Sequence, residues 1–222
     1  MYRLFLLITL SLFARGLAPG QTFSLETTDG LKPHQVVAAS AVNKGLKGVR
    51  VTEPPGATGN EDPLLLLPVK DFENGMIEAE ISGEPSSDAG QGARGFAGIA
   101  FRIADDPAKC DAFYLRLTNA RADDQVRRNH SAQYISHPAW TWSRLRTEEP
   151  KKYESYVDLA PGEWTRVRIE VDGVKARLYV HGSAQPTLIV NDLKQGVAKG
   201  QIGLWIGPGT IAHFRNVKVT KK

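Results

Sequence analysis

The sequence predicts an all-β fold in which residues 21–222 form two antiparallel sheets packed face to face. Three observations support this prediction: short runs alternate apolar and polar residues, Gly, Pro, Asn or Asp ends most of these runs, and few stretches repeat at helical spacing. Without a leader the chain keeps about 200 residues, a length that one sandwich domain commonly fills. We therefore expect a single hydrophobic core.

The N-terminus is typical of a secretory signal peptide. Met1–Arg3 supplies a positive start, Leu4–Ala14 is an apolar run, and Ala18–Gly20 offers small residues for cleavage. The apolar run ends at Arg15 and is too short to cross the roughly 30 Å hydrocarbon core of a bilayer. We therefore expect a signal peptide over residues 1–20, no membrane span, and a secreted or periplasmic domain.

Charge and cysteine content exclude several classes of protein. The formal charge of +4 falls to +2 when Arg3 and Arg15 leave with the leader, which is too small an excess for a nucleic-acid-binding protein. The excess is local, because residues 116–154 hold eight Lys or Arg against five Asp or Glu. Cys110 is the only cysteine, so we expect no intrachain disulfide and a core stabilised by apolar burial.

The first half of the domain contains strand-rich stretches over residues 23–51 and 64–81. From residue 98 the alternation is clearer, and Asp172-Gly173 predicts a hairpin turn between two such runs. Because side chains alternate with period two along a strand, the pattern also predicts which residues are buried. These predicted core residues are Ile99, Phe101, Ile103, Phe113, Leu115, Leu117, Val167, Ile169, Leu178, Leu204 and Ile206.

The stretch 118–158 interrupts the strand pattern with a long polar and aromatic segment. Long loops on sandwich folds commonly carry function, and aromatic residues are scarce in disordered segments. We therefore expect residues 118–158 to form an ordered functional loop.

The strand positions opposite the predicted core suggest a binding groove. Arg102, Tyr114, Arg116 and Trp205 alternate away from the core, and the small residue Gly98 leaves room beside them. Aromatic faces pack on sugar rings and planar guanidinium groups donate to sugar hydroxyls, so these four residues are candidate carbohydrate ligands. The alternative is a sheet face that is polar because water covers it.

The segment after Arg116 supplies further candidates, because a loop at that strand end would overhang the groove. It adds the ligand-binding candidates Asn119, Arg121 and Trp142. Weak candidates for general acid or base groups are Asp123, Asp124, His130 and Glu154. The alternative is that the acidic and basic residues pair with each other and order the loop.

We expect no metal site and no cofactor. Asp123 and Asp124 offer the oxygen ligands that Ca²⁺ prefers, but the sequence around them lacks the spaced acidic loop of a calcium site. Calcium therefore stays a minor alternative.

Five segments of the chain resemble the 3-keto-disaccharide hydrolase family. They are GFAGIAFR at 95–102, PGEWT at 161–165, RLYVHG at 177–182, GLW at 203–205 and HFRNV at 213–217. The resemblance implies membership of the concanavalin A-like lectin/glucanase superfamily. It therefore implies a two-sheet jelly roll, a concave sugar-facing sheet and an extracytoplasmic location.

The sequence thus predicts a secreted protein that binds or processes carbohydrate, and the resemblance implies a glycoside (3-keto-glycoside) hydrolase. Whether the protein is an enzyme or a lectin stays open at this point. The alternative is a non-catalytic sandwich module for protein interaction or adhesion, which would expose a contiguous apolar patch. The outward positions are polar or aromatic and therefore favour a carbohydrate ligand.

Overall fold

The computed structural model describes residues 20–57 and 63–222. The signal peptide predicted over residues 1–20 thus lies outside the described residues, apart from Gly20. Within the described ranges, the only α-helices are the short α1 (Gln125–Arg128) and α2 (Trp142–Glu148). No helix in this part of the chain is long and apolar enough to span a membrane.

Strands form the rest of the regular structure. In chain order they are β1 (Gln21–Phe23), β2 (Lys32–His34), β3 (Val37–Asn43), β4 (Leu46–Thr52), β5 (Leu64–Leu66), β6 (Gly75–Pro85), β7 (Phe96–Ile103), β8 (Cys110–Arg116), β9 (Ala132–His137), β10 (Glu154–Ser155), β11 (Thr165–Asp172), β12 (Lys175–Val180), β13 (Leu188–Val190), β14 (Gln201–Ile206) and β15 (Thr210–Lys221).

The strands build two antiparallel sheets, which we name sheet A and sheet B. Sheet A has eight strands in the order β13-β12-β11-β6-β15-β4-β3, with β1 paired to the C-terminal part of β15. Sheet B has seven strands in the order β10-β9-β8-β7-β14-β5-β2. The predicted all-β, two-sheet antiparallel class is therefore confirmed.

Burial follows the predicted alternation closely. All the predicted core residues are at most 3% exposed. Phe101 of β7 and Phe113 of β8 stack in the interior with ring centroids 6.1 Å apart. Cys110 is fully buried as well. The hairpin predicted at Asp172-Gly173 is the β11–β12 turn, where Gly173 takes a positive φ of 59°.

A β-bulge near the end of β7 overturns the predicted position of Arg102. Ala100 pairs with Gly203 and Ile103 pairs with Gln201, so β7 carries one residue more than β14 between these pairs. The extra residue breaks the period-two alternation. Arg102 takes a φ of 52° and is fully buried, so it does not reach the outer face of sheet B.

The same bulge changes the side on which Ile103 is buried. The Ile103 Cδ1 atom lies 2.9 Å from the position that a Cβ on Gly203 would take. Gly203 pairs with Ala100, which alternates with the core residue Ile99 and therefore faces outward. Ile103 is thus buried on the outer side of sheet B, and the prediction that it lies between the sheets is wrong.

Residues 118–158 contain more regular structure than the expected loop. The strand β9 pairs with β8 over six residue pairs and extends sheet B, and β10 pairs with β9 in turn. The side chains of Tyr134 and Ile135 on this strand are buried. The polar residues Gln133, Ser136 and His137 that accompany them obscure the apolar alternation in the sequence.

Candidate functional site

A cleft of about 600 Å³ opens on the outer face of sheet B. Its aromatic residues come from three adjacent strands and from the start of α2. They are Phe96 of β7, Tyr114 of β8, Trp205 of β14 and Trp142 of α2. The cleft contains three of the predicted ligand-binding residues, namely Tyr114, Trp142 and Trp205.

Gly98 on β7 determines the shape of the cleft floor. It pairs with Tyr114 on one side and with Trp205 on the other. Because Gly98 has no side chain, the two rings meet across it with centroids 4.7 Å apart and an interplanar angle of 36°. A Cβ at Gly98 would lie 2.5 Å from Tyr114 Cβ and 2.2 Å from the carbonyl oxygen of Phe113. Glycine is therefore required at this position.

Polar side chains line the walls of the cleft. His34 ends β2, His137 ends β9, Asp106 lies in the β7–β8 loop, and Thr141 caps the N-terminus of α2. Sequence analysis missed all four residues, because they lie at strand ends and in loops with no shared motif. Their convergence depends on strand order, which the linear pattern does not contain.

Arg116 lies beside Tyr114 on the same face of β8 and holds it in place. Its Nη2 donates to the Tyr114 hydroxyl oxygen at 2.8 Å and to Gln133 Oε1 at 3.1 Å. Its Nη1 donates to the His130 carbonyl oxygen at 3.1 Å. Burial raises the pKa of Tyr114 to about 12 despite the opposing charge of Arg116, so the phenol stays protonated at neutral pH. Arg116 is only 5% exposed and therefore positions Tyr114 instead of presenting its own donors to the cleft.

Glu154 joins this network from β10. Its nearly buried carboxylate lies 3.3 Å from Arg116 Nη1 and 3.4 Å from His130 Nε2. Arg146 of α2 donates to both carboxylate oxygens, with its Nε 3.1 Å from Oε2. Burial, together with the charges of Arg146 and Arg116, lowers the pKa of His130 although Glu154 acts in the opposite direction. The structure thus brings the candidates His130 and Glu154 together beside the cleft.

The other predicted site residues have contacts away from the cleft. Asn119 is buried and donates to the His130 carbonyl oxygen at 3.2 Å. Arg121 forms an exposed ion pair with Asp158 at 3.0 Å. Asp124 caps α1 by accepting from the Arg127 backbone N–H at 2.9 Å, so its carboxylate fixes the start of this short helix.

Arg102 also serves the scaffold, as its burial requires. Its guanidinium donates to the carbonyl oxygens of Glu73 at 2.8 Å, Gly173 at 2.7 Å and Gly196 at 2.7 Å. These three acceptors belong to separate turns at one end of the sandwich. Arg102 therefore joins these turns through buried hydrogen bonds and cannot contact a ligand in the cleft.

The acidic residues near the cleft do not gather into a metal centre. Asp123 is exposed, and its neighbour Asp124 is engaged in capping. Across residues 20–57 and 63–222, no group of three or more His, Cys, Asp or Glu side chains is arranged to hold a metal ion.

Comparison with protein families identifies the class to which the chain belongs. Residues 26–220 match the model of the 3-keto-alpha-glucoside-1,2-lyase-like domain. The chain therefore belongs to this family of carbohydrate-binding or glycosidase-like domains, as the five sequence segments predicted. No curated protein matches the chain.

Solved structures with the same fold include sugar-binding modules. The carbohydrate-binding module CBM66 from Bacillus subtilis has a TM-score of 0.60 at 13% identity, with 87% of this chain and 96% of that chain covered. A Bacillus subtilis protein of unknown function with a galectin-like fold has a TM-score of 0.57 at 11% identity, with coverages of 91% and 96%. The VIP36 exoplasmic/lumenal domain, in a Ca²⁺/Man3GlcNAc-bound form, has a TM-score of 0.54 at 7% identity, with coverages of 94% and 91%. At these identities the likeness concerns the fold.

Proposed function

We propose that the cleft on sheet B binds a carbohydrate. The observation that carries this proposal is the aromatic lining of the cleft, in which Trp142 is exposed and the largely buried rings of Tyr114 and Trp205 meet across Gly98. Aromatic faces pack against the C–H groups of sugar rings, and a few polar groups on the walls orient the hydroxyls. His34, His137 and Asp106 line the cleft and have side chains of the kind that this second role requires. Family membership and the sandwich neighbours support the same conclusion.

The test is loss of binding when the floor is truncated. A glycan array carrying glucans, xylans, arabinans and uronic acid oligosaccharides identifies the best ligand, and calorimetry then measures its Kd. Trp205→Ala is expected to weaken binding at least tenfold, because stacking on an aromatic ring is worth about 1.4 kcal/mol or more. Unchanged affinity in a folded Trp205→Ala protein would exclude the cleft as the binding site.

A matched control lies on the opposite side of the molecule. Tyr179 of β12 is paired with Arg168, whose guanidinium lies 3.9 Å from its ring centroid on the outer face of sheet A. Tyr179→Ala removes an aromatic ring of similar size far from the cleft, and we expect it to leave the Kd unchanged. Circular dichroism of both variants checks folding.

A catalytic function is a second candidate, favoured by the titratable groups His34, Asp106 and His137 in the cleft. In a 3-keto-glucoside the C3 carbonyl makes the hydrogen on C2 acidic. A base takes this proton, the C2–H electron pair forms a C1=C2 double bond as the C1–O bond breaks, and the leaving oxygen takes up a proton. Imidazole and carboxylate groups are suited to both proton transfers.

Incubation with 3-keto-trehalose tests this reaction. We expect release of glucose and a product with the ultraviolet absorption of a conjugated enone. His34→Asn or His137→Asn should lower the rate about 100-fold if that residue transfers the proton. The control His181→Asn alters an exposed histidine at a positive φ of 59°, which asparagine tolerates. No turnover with the wild-type protein would restrict the function to binding.

Export is a further part of the proposal. The pattern of residues 1–20 supports removal of a leader, after which the mature domain would start near Gln21. Mass spectrometry of protein secreted by an expressing cell is expected to give a mass that begins near Gln21. Retention of Met1 in the exported material would contradict this.

A further inference from the structure

A group of four arginines includes the two that bond to Glu154, and we name it the basic cluster. Its members are Arg94, Arg116, Arg127 and Arg146. Arg116 and Arg146 share the carboxylate of Glu154. The pKa of Arg94 is lowered by burial and by the positive charges of Arg127 and Arg116, which indicates that these guanidiniums repel one another.

Two members of the basic cluster are held by uncharged groups. Arg94 Nη1 donates to the backbone carbonyl oxygens of Gln91 and Ala93. Arg127 donates to Asn119 Oδ1 at 3.0 Å and to Thr118 Oγ1 at 3.0 Å. Such contacts fix the position of a guanidinium but do not neutralise its charge.

The carboxylates beside the basic cluster compensate only part of its charge. Glu154 is shared between two arginines, and Asp124 accepts the backbone N–H of Arg127 at the start of α1. His130 adds no negative charge, and its lowered pKa favours the neutral form. Positive charge therefore remains in surplus in a partly buried region, where it is screened less than at an open surface.

Trp142 lies between the positive charge of the basic cluster and the cleft. Its ring lines the cleft and is 46% exposed. The Arg146 Cζ atom lies 4.8 Å from its centroid and the Arg116 Cζ atom lies 5.9 Å from it. Arg146 keeps 34% of its side chain exposed, whereas Arg116 is nearly buried. A ligand stacked on Trp142 is therefore within reach of Arg146.

Arg146 retains donors for such a ligand. Its Nε and Nη2 atoms bond to Glu154, and a guanidinium has five N–H groups in all. The fork of N–H groups matches the two oxygens of a carboxylate. The charge, the exposed donors and the stacking ring thus lie side by side.

We propose that the cleft selects an acidic carbohydrate, one bearing a carboxylate as uronic acids do, and that Arg146 contacts this carboxylate. The inference rests on the proposed carbohydrate-binding function and deepens it, because it assigns the class of ligand. A sulfated sugar would bring the same charge with a different geometry, so the experiment includes one.

Matched ligands test the assignment. The probes are trisaccharides of glucuronate, galacturonate and mannuronate, each beside its carboxyl-reduced neutral counterpart and a sulfated analogue. Calorimetry with the wild-type protein at low salt is expected to show at least tenfold tighter binding of one uronate than of its neutral counterpart. That advantage should shrink at high salt, because screening weakens charge pairing. Arg146→Gln is expected to reduce the ratio of the neutral Kd to the uronate Kd to within twofold of one, and this ratio separates the loss of charge recognition from a general loss of binding.

Arg144→Gln on the same helix is the control. Arg144 pairs with Glu148 at 2.8 Å and its Cζ lies 4.0 Å from the Trp140 ring centroid, away from the network of Glu154. We expect Arg144→Gln to keep the wild-type ratio of the Kd values for the neutral and the acidic ligand. Equal binding of acidic and neutral forms, tighter binding of the sulfated analogue, or an unchanged ratio in Arg146→Gln would overturn the inference but not the proposed function. Failure of every carbohydrate to bind would overturn both.

Discussion

At the scale of single residues, two arginines of the same predicted site have opposite environments. Arg102 is fully buried and bonds to three backbone carbonyl oxygens from separate turns. Arg121 forms its ion pair with both partners more than half exposed. Residue type alone did not distinguish them, because Arg102 is predicted to face outward from a strand and Arg121 to lie in the loop after the next strand, and arginine suits both positions. The energetic consequences of losing each one should differ accordingly.

Replacing Arg102 by Leu is expected to destabilise the fold by about 2–5 kcal/mol, because several buried carbonyl oxygens lose their donor. Arg121→Ala should change the unfolding free energy by less than about 1 kcal/mol, since exposed ion pairs contribute little. Urea unfolding followed by circular dichroism measures both values. Comparable losses in the two variants would contradict the internal role of Arg102.

His130 makes stability depend on pH. Its pKa in the fold lies below the ordinary value of 6.5, mainly because of burial. Between the lowered pKa of the folded protein and 6.5, the unfolded chain binds more protons than the folded protein does. The unfolding free energy therefore falls as the pH decreases through this window. His213 shifts in the same direction through burial and the charge of Arg50, so it contributes to the same slope.

We expect the wild-type protein to lose stability between about pH 7.5 and pH 5.5, and His130→Gln to lose less. Urea unfolding at the two pH values measures the difference. His213→Gln serves as the reference for the second histidine. A slope that stays the same in His130→Gln would show that the neutral form of His130 does not stabilise the fold.

At the scale of elements, β7 shows how far the alternation of a strand can be predicted. Ile99 and Phe101 are buried as the period-two pattern predicts, and Gly98 lies on the cleft floor as expected for a small outward residue. The pattern fails at Arg102 because the bulge adds one residue to the strand. A bulge depends on the pairing with β14, which a run of residues within one strand does not reveal.

Gly98→Ala tests the close approach of β7 and β8. The added methyl group would meet the Phe113 carbonyl oxygen and Tyr114 Cβ, so we expect a loss of about 1–3 kcal/mol or more and a changed near-ultraviolet dichroism from the Tyr114–Trp205 pair. Gly90→Ala is the control, because no atom lies within 4 Å of a Cβ there. Equal stability of both variants would refute the packing requirement at Gly98.

At the scale of the whole molecule, residues 118–158 are part of the sandwich. Beyond the pairing of β9 with β8, Lys152 and Tyr153 each donate to Asp192 Oδ2 at 2.7 Å, which ties the segment to the region after β13. The Tyr134 hydroxyl donates to the buried Asp111 at 2.7 Å within sheet B. The segment and the two sheets therefore share one interior.

We expect the domain to unfold in one cooperative transition, because one interior connects both sheets. Far-ultraviolet dichroism and tryptophan fluorescence should give the same urea midpoint. A reducing agent should not move this midpoint, since the single Cys110 forms no intrachain disulfide. Separate midpoints for the two probes would indicate that residues 118–158 unfold independently.

The sequence predicted the scaffold better than the site. The fold class, the core and the floor residues Tyr114 and Trp205 follow from local alternation. The wall residues His34 and Asp106 come from distant parts of the chain. Both line the cleft because β2 is an edge strand of sheet B and the β7–β8 loop joins two strands inside the same sheet. Only the strand order brings such residues together.

The division of the cleft between paired strands and connecting segments affects how ligand specificity can evolve. The floor tolerates little change, because a methyl group on Gly98 would collide with the neighbouring strand. The wall residues lie outside the paired strands or at their ends: His34 ends β2, Asp106 lies in the β7–β8 loop and Thr141 caps α2. Substitutions there alter the charge and outline of the cleft while the sheet keeps its register. A single sandwich can in this way diversify toward new ligands through the walls of its cleft, with the fold unchanged.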